Sequence, residues 1–541
     1  MNITVFDEAG ALITDAQLQL TDIATNDLRK ATTQQTGTYS FVNLAFGTYQ
    51  LTVTKPGFQT QILKDVLVQT SRDTSVNVTL KVGDTAERME VVSGATPLIE
   101  TDSSQLANTI DTKQVVNLPL NGRGMFGFAF LVPGYAGTSP MSQTGTFQNM
   151  PGGAIQSADY DGTPALASRF RSSGFGYGTS AVSPRIENIA EMTISTGQLD
   201  LSGSGTSAMR INLVTRRGSN AYHGRVFEDF RNTSLNANSW SNNARSVPRN
   251  ILKLNDFGFS VGGPILKNKL FFFGTYAESI QPGSNNGTAS ILSPGAQQGL
   301  FQYRDTGGVL QTLNVLSLAG SAGAPSTVNT SIAAQLSKIN GVLGQGSLTP
   351  TSDPNISTLT FQIPNRVTTY YPAMRFDYNA NENIRLNLSY SQTKQNNTQI
   401  YAPLFPGGID PIDNTSNNNN GKIAGFGVDW VIRPTLINQF HLGYLYQYSI
   451  FDPENLDLDL PNIVQTNFGY GTSLYQASVY PRQPISSLYS PLTFNDSLIW
   501  QKGSHSFNFG GGWYREHDIY WNGPGGYPNI NFGIATQDPL G

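Results

Sequence analysis

The chain has no cysteine and only four histidines in 541 residues. A disulfide framework and a thiolate metal site are therefore both excluded. Charge is also scarce. Asp, Glu, Lys and Arg make up 13% of the sequence, and 33 basic against 37 acidic residues leave a net charge of −4. That balance gives no electrostatic case for nucleic acid as a partner. Long apolar runs are missing as well. The longest, Met125 to Val132, is eight residues with a glycine inside, far short of the ~20 residues of a membrane helix. Any membrane span must then be built from strands closed into a barrel. What the chain does have is glycine (55 residues) and aromatic side chains (11%), with many Asn, Ser and Thr. This is the profile of β-structure with long polar loops, in a chain too long for one ordinary domain.

The later part of the chain alternates between strands, tight turns and very long connections. Strands are expected near 222–231, 255–265, 269–279, 370–379, 383–394, 422–432, 436–449, 493–501 and 505–516. The short connections are 266–268, 380–382, 433–435 and 502–504; the long ones are 232–254, 280–369, 395–421 and 450–492. A transmembrane β-barrel trims one end and extends the other, because its periplasmic turns are short and its extracellular loops long.

Successive side chains of a strand face opposite ways, and the strands sort cleanly. Ala424, Phe426, Val428, Trp430 and Ile432 alternate with Ile423, Gly425, Gly427, Asp429 and Val431. Met374, Phe376 and Tyr378 oppose Arg375 and Asp377. Ile384, Leu386, Leu388 and Tyr390 oppose Arg385, Asn387 and Ser389. Leu436, Phe440, Leu442 and Tyr444 oppose Gln439, His441 and Gly443, and Phe507, Phe509 and Trp513 oppose Asn508, Gly510 and Tyr514. Lipid outside and a wetted or plugged lumen inside require this pattern. Tyr370, Tyr371, Tyr448, Trp500 and Trp513 lie at strand ends and suit interfacial girdles. A large antiparallel sandwich or propeller gives the same period-two signal; the loop alternation favours the barrel.

Residues 1–82 carry short alternating strands about ten residues apart, separated by turns at Asp7–Gly10, Gly37-Thr38, Phe46-Gly47 and Lys55-Pro-Gly57, which indicates a β-sandwich. Gly37-Thr-Tyr-Ser-Phe41, Leu44-Ala-Phe-Gly-Thr-Tyr49 and Lys55-Pro-Gly-Phe58 resemble the carboxypeptidase regulatory-like domain, a transthyretin-type sandwich. Residues 83–218 change character. They include Glu90–Gly94 as a short strand, Asp111–Leu118 as a short helix or turn, then Leu118–Arg123, Phe130–Gly134, Pro184–Ile194 and Ile211–Thr215. This succession resembles the α+β plug domain of TonB-dependent outer-membrane receptors, in particular the Oar-like branch. Gly224–Asn232, Phe257–Ile265 with Lys269–Gly274, and Lys502–Gly510 are similar to the barrel of the same family in residues 219–541.

The resemblance implies a mainly β chain in three parts: a sandwich, a plug, and the first part of a large antiparallel barrel. Family barrels have about 22 strands; nine are expected here. Met1–Val5 already reads as β-structure and Asp538–Gly541 as loop, so no secretory signal or closing strand is visible and the chain reads as a fragment. A plug on the periplasmic side feeds the first strand, which makes the first connection extracellular and long and the second short, as the order requires. The implied function is a receptor or transporter. Its implied partners are outer-membrane lipid, a TonB-type energy-coupling complex and an extracellular ligand of unknown identity. A soluble adhesive or carbohydrate-binding β-protein is the alternative.

Chemical signals are weak. Gly203–Ala208 matches a loose dinucleotide fingerprint without its strand–turn–helix context. Asp159-Tyr-Asp161-Gly162 hints at calcium, but an EF-hand needs Glu six residues after the Gly, and position 168 is Ser; a turn is the simpler reading. His223, His441, His505 and His517 are scattered, with no zinc spacing. No nucleophile elbow, P-loop or carboxylate pair appears, so the expectation is no enzyme, no catalytic or metal residue and no cofactor. In 280–369, Ile332, Leu336, Ile339 and Leu343 have helical spacing within what otherwise reads as solvated loop. Tyr401–Phe405 and Asn414–Asn420 are candidate glycan or peptide contacts, or ordinary surface loop.

Overall fold

The computed structural model describes residues 1–92 (except 43, 71–73 and 84–87), 106–110, parts of 114–165, 182–196, 209–398 (except 245–246), 405–406, 415–453, 465–468, 476–477, 485–522 (except 503–504) and 529–532. Asp111–Leu118 and Phe130–Gly134 lie almost wholly outside these residues, as do Gly203–Ala208, Ser168 and Tyr401–Leu404.

The amino-terminal unit is a two-layer sandwich. One sheet orders its strands Leu28–Thr32, Gln17–Asp22, Gly47–Thr54, Thr60–Val68 and Arg88–Val92; the other pairs Thr38–Ser40, Asn2–Asp7 and Ser75–Leu80. Alternating Ile3 and Val5, Leu18 and Leu20, Leu51 and Val53, Val78 and Leu80 fill the space between them. The strand expected near Glu90 pairs in parallel with Thr60–Lys64, so this sheet runs past residue 82. Gly37, Gly47 and Gly57 take positive φ, which explains why these turn positions are glycine.

A second, five-stranded sheet orders Thr163–Pro164, Gln156–Tyr160, Met209–Thr215, Ile189–Thr196 and Leu106–Ile110. Its core holds Tyr160, Ile189, Met192, Ile194, Ile211 and Leu213. Ile423, Leu445 and Tyr489, contributed by the third sheet, belong to the same cluster.

Among the described residues the main path of that third sheet is an antiparallel meander of nine strands, with Gly346–Pro350 added beside Ile356–Tyr370. In order they are His223–Arg231, Leu254–Leu266, Leu270–Leu292, Ile356–Tyr370 continued by Ala373–Asn379, Ile384–Thr398, Thr415–Arg433, Leu436–Pro453, Ile485–Tyr489 continued by Leu492–Lys502, and His505–Arg515 continued by Asp518–Asn522. Two of the interruptions fall at Pro372 and Pro491, where a ladder donor is missing. All nine expected strands are present, and all four short connections join neighbours.

The expected apolar series faces outward. Val226 is 84% exposed, Trp430 46% and Phe509 55%, while Ile423 and Leu445, of opposite parity, are 2% and 1% exposed. A belt of exposed large apolar side chains on one face of so long a sheet is a surface made for lipid.

Two expectations need correction. Tyr371 does not join an outer girdle: it lies under the guanidinium of Arg185, 4.5 Å from its ring centre. Residues 280–369 are not mainly solvated loop. Leu270–Leu292 and Ile356–Tyr370 pair without a break from Glu278 with Tyr370 to Leu292 with Ile356. Above them sit a hairpin (Leu300–Arg304 with Leu310–Asn314) and helices Val315–Ser321 and Thr330–Val342. Ile339 packs with Ala289, Ile291, Leu359, Phe361, Ile363 and Phe405. Ile339, with Val342 and Leu343 beside it, thus packs as a small unit on the extended strands. The alternation Leu359, Phe361, Ile363 was present in the sequence, but the surrounding Ser, Thr and Asn disguised it.

Candidate functional site

The long sheet wraps the five-stranded sheet, and most of its strands touch it. Arg123 pairs with Glu187 and with Asp229 of the first strand, and its guanidinium stacks 4.3 Å from the Phe227 ring. Arg185 grips Asp256 of the second strand with two donors, Nη1 to Oδ2 at 3.0 Å and Nη2 to Oδ1 at 2.6 Å, while its Nε reaches Glu187 at 3.2 Å. All three of these side chains are buried. Burial alone would lower the Arg185 pKa. The hydrogen bonds to Asp256 and the charges of Glu187 and Asp256 outweigh it and raise the pKa, so the group stays cationic.

On the fourth strand, Arg375 donates to Asp161 at 3.1 Å and to Asp377 at 2.8 Å. On the fifth, Ser391 hydroxyl meets the Tyr160 hydroxyl at 2.9 Å and accepts from Asn188 at 3.0 Å. Burial pushes the Tyr160 phenol well up, which keeps it a neutral hydrogen-bonding group. On the seventh, His441 Nε2 lies 3.1 Å from the Thr163 hydroxyl.

The tip at Thr163 explains a run of glycines. Gly425 and Gly443 stand on the inward faces of adjacent strands, paired with each other. A Cβ on Gly443 would meet Thr163 Cγ2 at 2.6 Å and Thr493 Oγ1 at 2.7 Å. Gly443→Val should therefore displace the Thr163 tip at an overpacking cost of roughly 1–3 kcal/mol. Trypsin cleavage within 156–215 of the folded protein is expected to accelerate, whereas Gly511→Ala, where the added Cβ meets open space, should leave it unchanged.

A second contact surface lies on the side of the short turns. Asp27 of the sandwich takes two donors from Arg385, both at 2.8 Å, beside the 380–382 turn. Tyr39 hydroxyl donates to the Pro434 carbonyl at 2.8 Å, Asn26 to Asn268 at 3.1 Å, and Gln501 to the Ser40 carbonyl at 3.3 Å. One domain thus touches the rim at the 266–268 and 433–435 turns and on the strands beside the other two. Arg217, two residues beyond Met209–Thr215, donates to Asp22 at 2.6 Å and to the Phe46 carbonyl at 2.7 Å. The sandwich and the inner sheet share that anchor.

The sequence-singled residues resolve as follows. Asp159 and Asp161 are engaged by arginines, at 2.7 Å from Arg210 and 3.1 Å from Arg375, and Asp161 also accepts from Thr215 N–H and hydroxyl. With Gly162 at φ +79° they form a turn between two short strands, not a cation loop. The four histidines stand apart: His223 stacks on Phe273, His505 lies near Phe507, and the His517 carbonyl accepts from Ser490. Arg123, Arg185 and Asp256 were not legible as site residues. Their one signal was a charged side chain on the inward parity of an apolar strand, or beside one, in a chain with few charges.

The model of the outer membrane beta barrel domain matches residues 214–540. The chain belongs to that family. The carboxypeptidase regulatory-like domain matches residues 1–81. The TonB-dependent transporter Oar of Myxococcus xanthus is 26% identical over 268 residues, which are 48% of this chain and 24% of that protein. Among solved structures, the outer membrane transporter YddB of Escherichia coli is similar at 9% identity over 76% of this chain and 48% of its own, with a TM-score of 0.47. The ferric enterobactin receptor PfeA of Pseudomonas aeruginosa follows at 11%, with the same shares and a TM-score of 0.43. This chain thus spans about half the length of these structures, and its match covers about a quarter of the curated relative.

Proposed function

We propose that this outer-membrane β-barrel protein is a TonB-dependent receptor or transporter, with residues 1–82 as a periplasmic sandwich, 83–218 as the plug and 219–541 as barrel. In this reading an extracellular ligand is captured on the long-loop side, and a TonB-type energy complex acts on the plug to open the lumen. No catalytic role is assigned to any residue. The observation that carries the reading is the buried Arg185–Asp256 pair, with Glu187 beside it, joining inner sheet to wall. Inside a lipid-facing sheet, a separate sheet held by a few charged contacts can occlude the lumen and still be released as a unit. The similarity to Oar, named a TonB-dependent transporter, supports the same reading. The adhesive alternative leaves the exposed apolar belt without a partner.

The experiment is deletion of 83–218 in the intact receptor, with conductance recorded in planar bilayers. Large, steady channels are expected where the unaltered protein stays closed. A closed deletion protein that is still folded and inserted would remove the plug assignment.

A further inference from the structure

The height of the apolar belt can be measured along the seventh strand of the long sheet. Leu436 pairs with Trp500 beside the short turn at 433–435, and Tyr446, ten residues further on, pairs with Lys422. Ten residues of strand span about 34 Å. Tilted by the usual 35–45°, they climb roughly 24–28 Å, which matches the ~25 Å apolar band of a barrel. Of the outward residues between them, Asn438, Phe440, Leu442 and Tyr444, only Asn438 is neither apolar nor aromatic. Lys422 therefore stands where the apolar band ends on the long-loop side, at the level of the lipid headgroups.

Cross-strand partners share one face of a sheet, so the outward row just above Lys422 can be followed along the wall. It reads Glu228, Phe257 and Glu278 on the first three strands, then Tyr370, Lys394 and Asn420 on the next three. Exposed Phe257, Leu388 and Trp430 fix the outward parity on the second, fifth and sixth strands. The headgroup level is thus acidic at one end of the sheet and basic further along.

Lys422 follows Asn420 on the same face, so it is the diagonal neighbour of Lys394. Such neighbours lie roughly 7–8 Å apart at the backbone, within the joint reach of two lysine side chains. The Lys422 ammonium also sits 5.3 Å from the centre of the Tyr446 ring. Neither lysine is in an ion pair among the described residues. Below them the small Ala424 stands between Tyr390 and Tyr444, which leaves a furrow on the apolar face.

We propose that Lys394 and Lys422 form a site for the anionic phosphate of a membrane lipid headgroup. Two ammonium groups converge on one phosphate at the height where headgroups lie, and the furrow at Ala424 takes an acyl chain. Both features are continuous with the lipid-facing belt. A free phosphate ion would meet the same charges but gain nothing from the furrow. The site goes beyond the receptor reading and requires only the lipid-facing sheet.

The test places the intact protein in phosphatidylcholine vesicles containing a minor share of diphosphorylated lipid A. The protein is then extracted in mild detergent, and the lipid that stays bound is counted by mass spectrometry. Lipid A is expected to be enriched over phosphatidylcholine. Lys394→Gln and Lys422→Gln should each lower its retention roughly fivefold, and together about 25-fold, with the thermal transition unchanged. Glu278→Gln, at the same level two strands away, should not lower it, and inorganic phosphate should not displace the lipid. If the double variant fails to insert, the two single variants carry the comparison. No enrichment, or enrichment that survives the lysine changes, overturns the proposal. Displacement by inorganic phosphate also overturns it and leaves a small-anion site. Lipid retention does not depend on conductance of the 83–218 deletion, so the receptor reading stands or falls separately.

Discussion

Arg185→Ala will loosen the inner sheet. The change removes the cation but leaves Asp256 buried without its partner, while Glu187 keeps Arg123. Breaking a buried pair from one side costs roughly 3–5 kcal/mol, because the remaining charge is uncompensated. Amide exchange in Ile189–Thr196, whose strand lies two residues past Glu187, should speed up by two orders of magnitude or more. The double replacement Arg185→Met with Asp256→Leu leaves no orphan charge and should recover most of the loss. Unchanged exchange in Arg185→Ala would mean that packing on Ile423, Leu445 and Tyr489, with the Arg375–Asp161 pair, seats the inner sheet without Arg185. In bilayers the same variant is expected to show intermittent openings where the parent is silent.

Asp27→Lys will release the sandwich from the rim. It sets a third cation beside Arg385 and Arg29, where an acidic group now faces Arg385 at 2.8 Å and Arg29 at 3.9 Å. Arg385 Nη1 is already buried without a partner, and Asp429, the cross-strand neighbour of Arg385, is the carboxylate that stays beside the cations. The side chains are 12–18% exposed. The loss should therefore fall between the ~0.5 kcal/mol of a surface pair and the roughly 3–5 kcal/mol of a buried one. The chain has no cysteine, so cysteines placed at Asn26 and Asn268 report without background. Their cross-linking by a short bismaleimide should drop several-fold in Asp27→Lys and return in the charge swap Asp27→Arg with Arg385→Asp. A yield that ignores both changes would assign docking to the Tyr39–Pro434 and Gln501–Ser40 contacts instead.

How far the sequence could be read depended on whether a residue's role is set by its neighbours along the chain. The nine wall strands were legible because period two is local: Phe426, Val428 and Trp430 need only their own strand to declare a face. The short turns were legible for the same reason. The extension of the third and fourth strands to Leu292 and from Ile356 was not, because Pro282, Gly283, Asn285, Asn286 and Gly287 are poor strand formers held extended by the facing residues 361–366. The glycines at 425, 427 and 443 were visible as the small side of their strands. The use of Gly425 and Gly443 as clearance for Thr163 required a residue some 260 to 280 positions away, while Gly427 clears the Asn387 side chain of the neighbouring strand.

Composition and periodicity by themselves determined that this chain crosses a membrane only as strands, that one face of those strands meets lipid, and that a sandwich leads and long loops lie on one side. Each of these follows from short-range pattern: few charges, no long apolar run, alternation, and turn residues. Only the tertiary structure decided what the other face does. It sets Arg185 on Asp256, Arg375 on Asp161 and Arg385 on Asp27. The physical reason is that a buried charge or amide is tolerated only where a partner arrives from elsewhere in the fold. No spacing in the sequence records which distant carboxylate that will be.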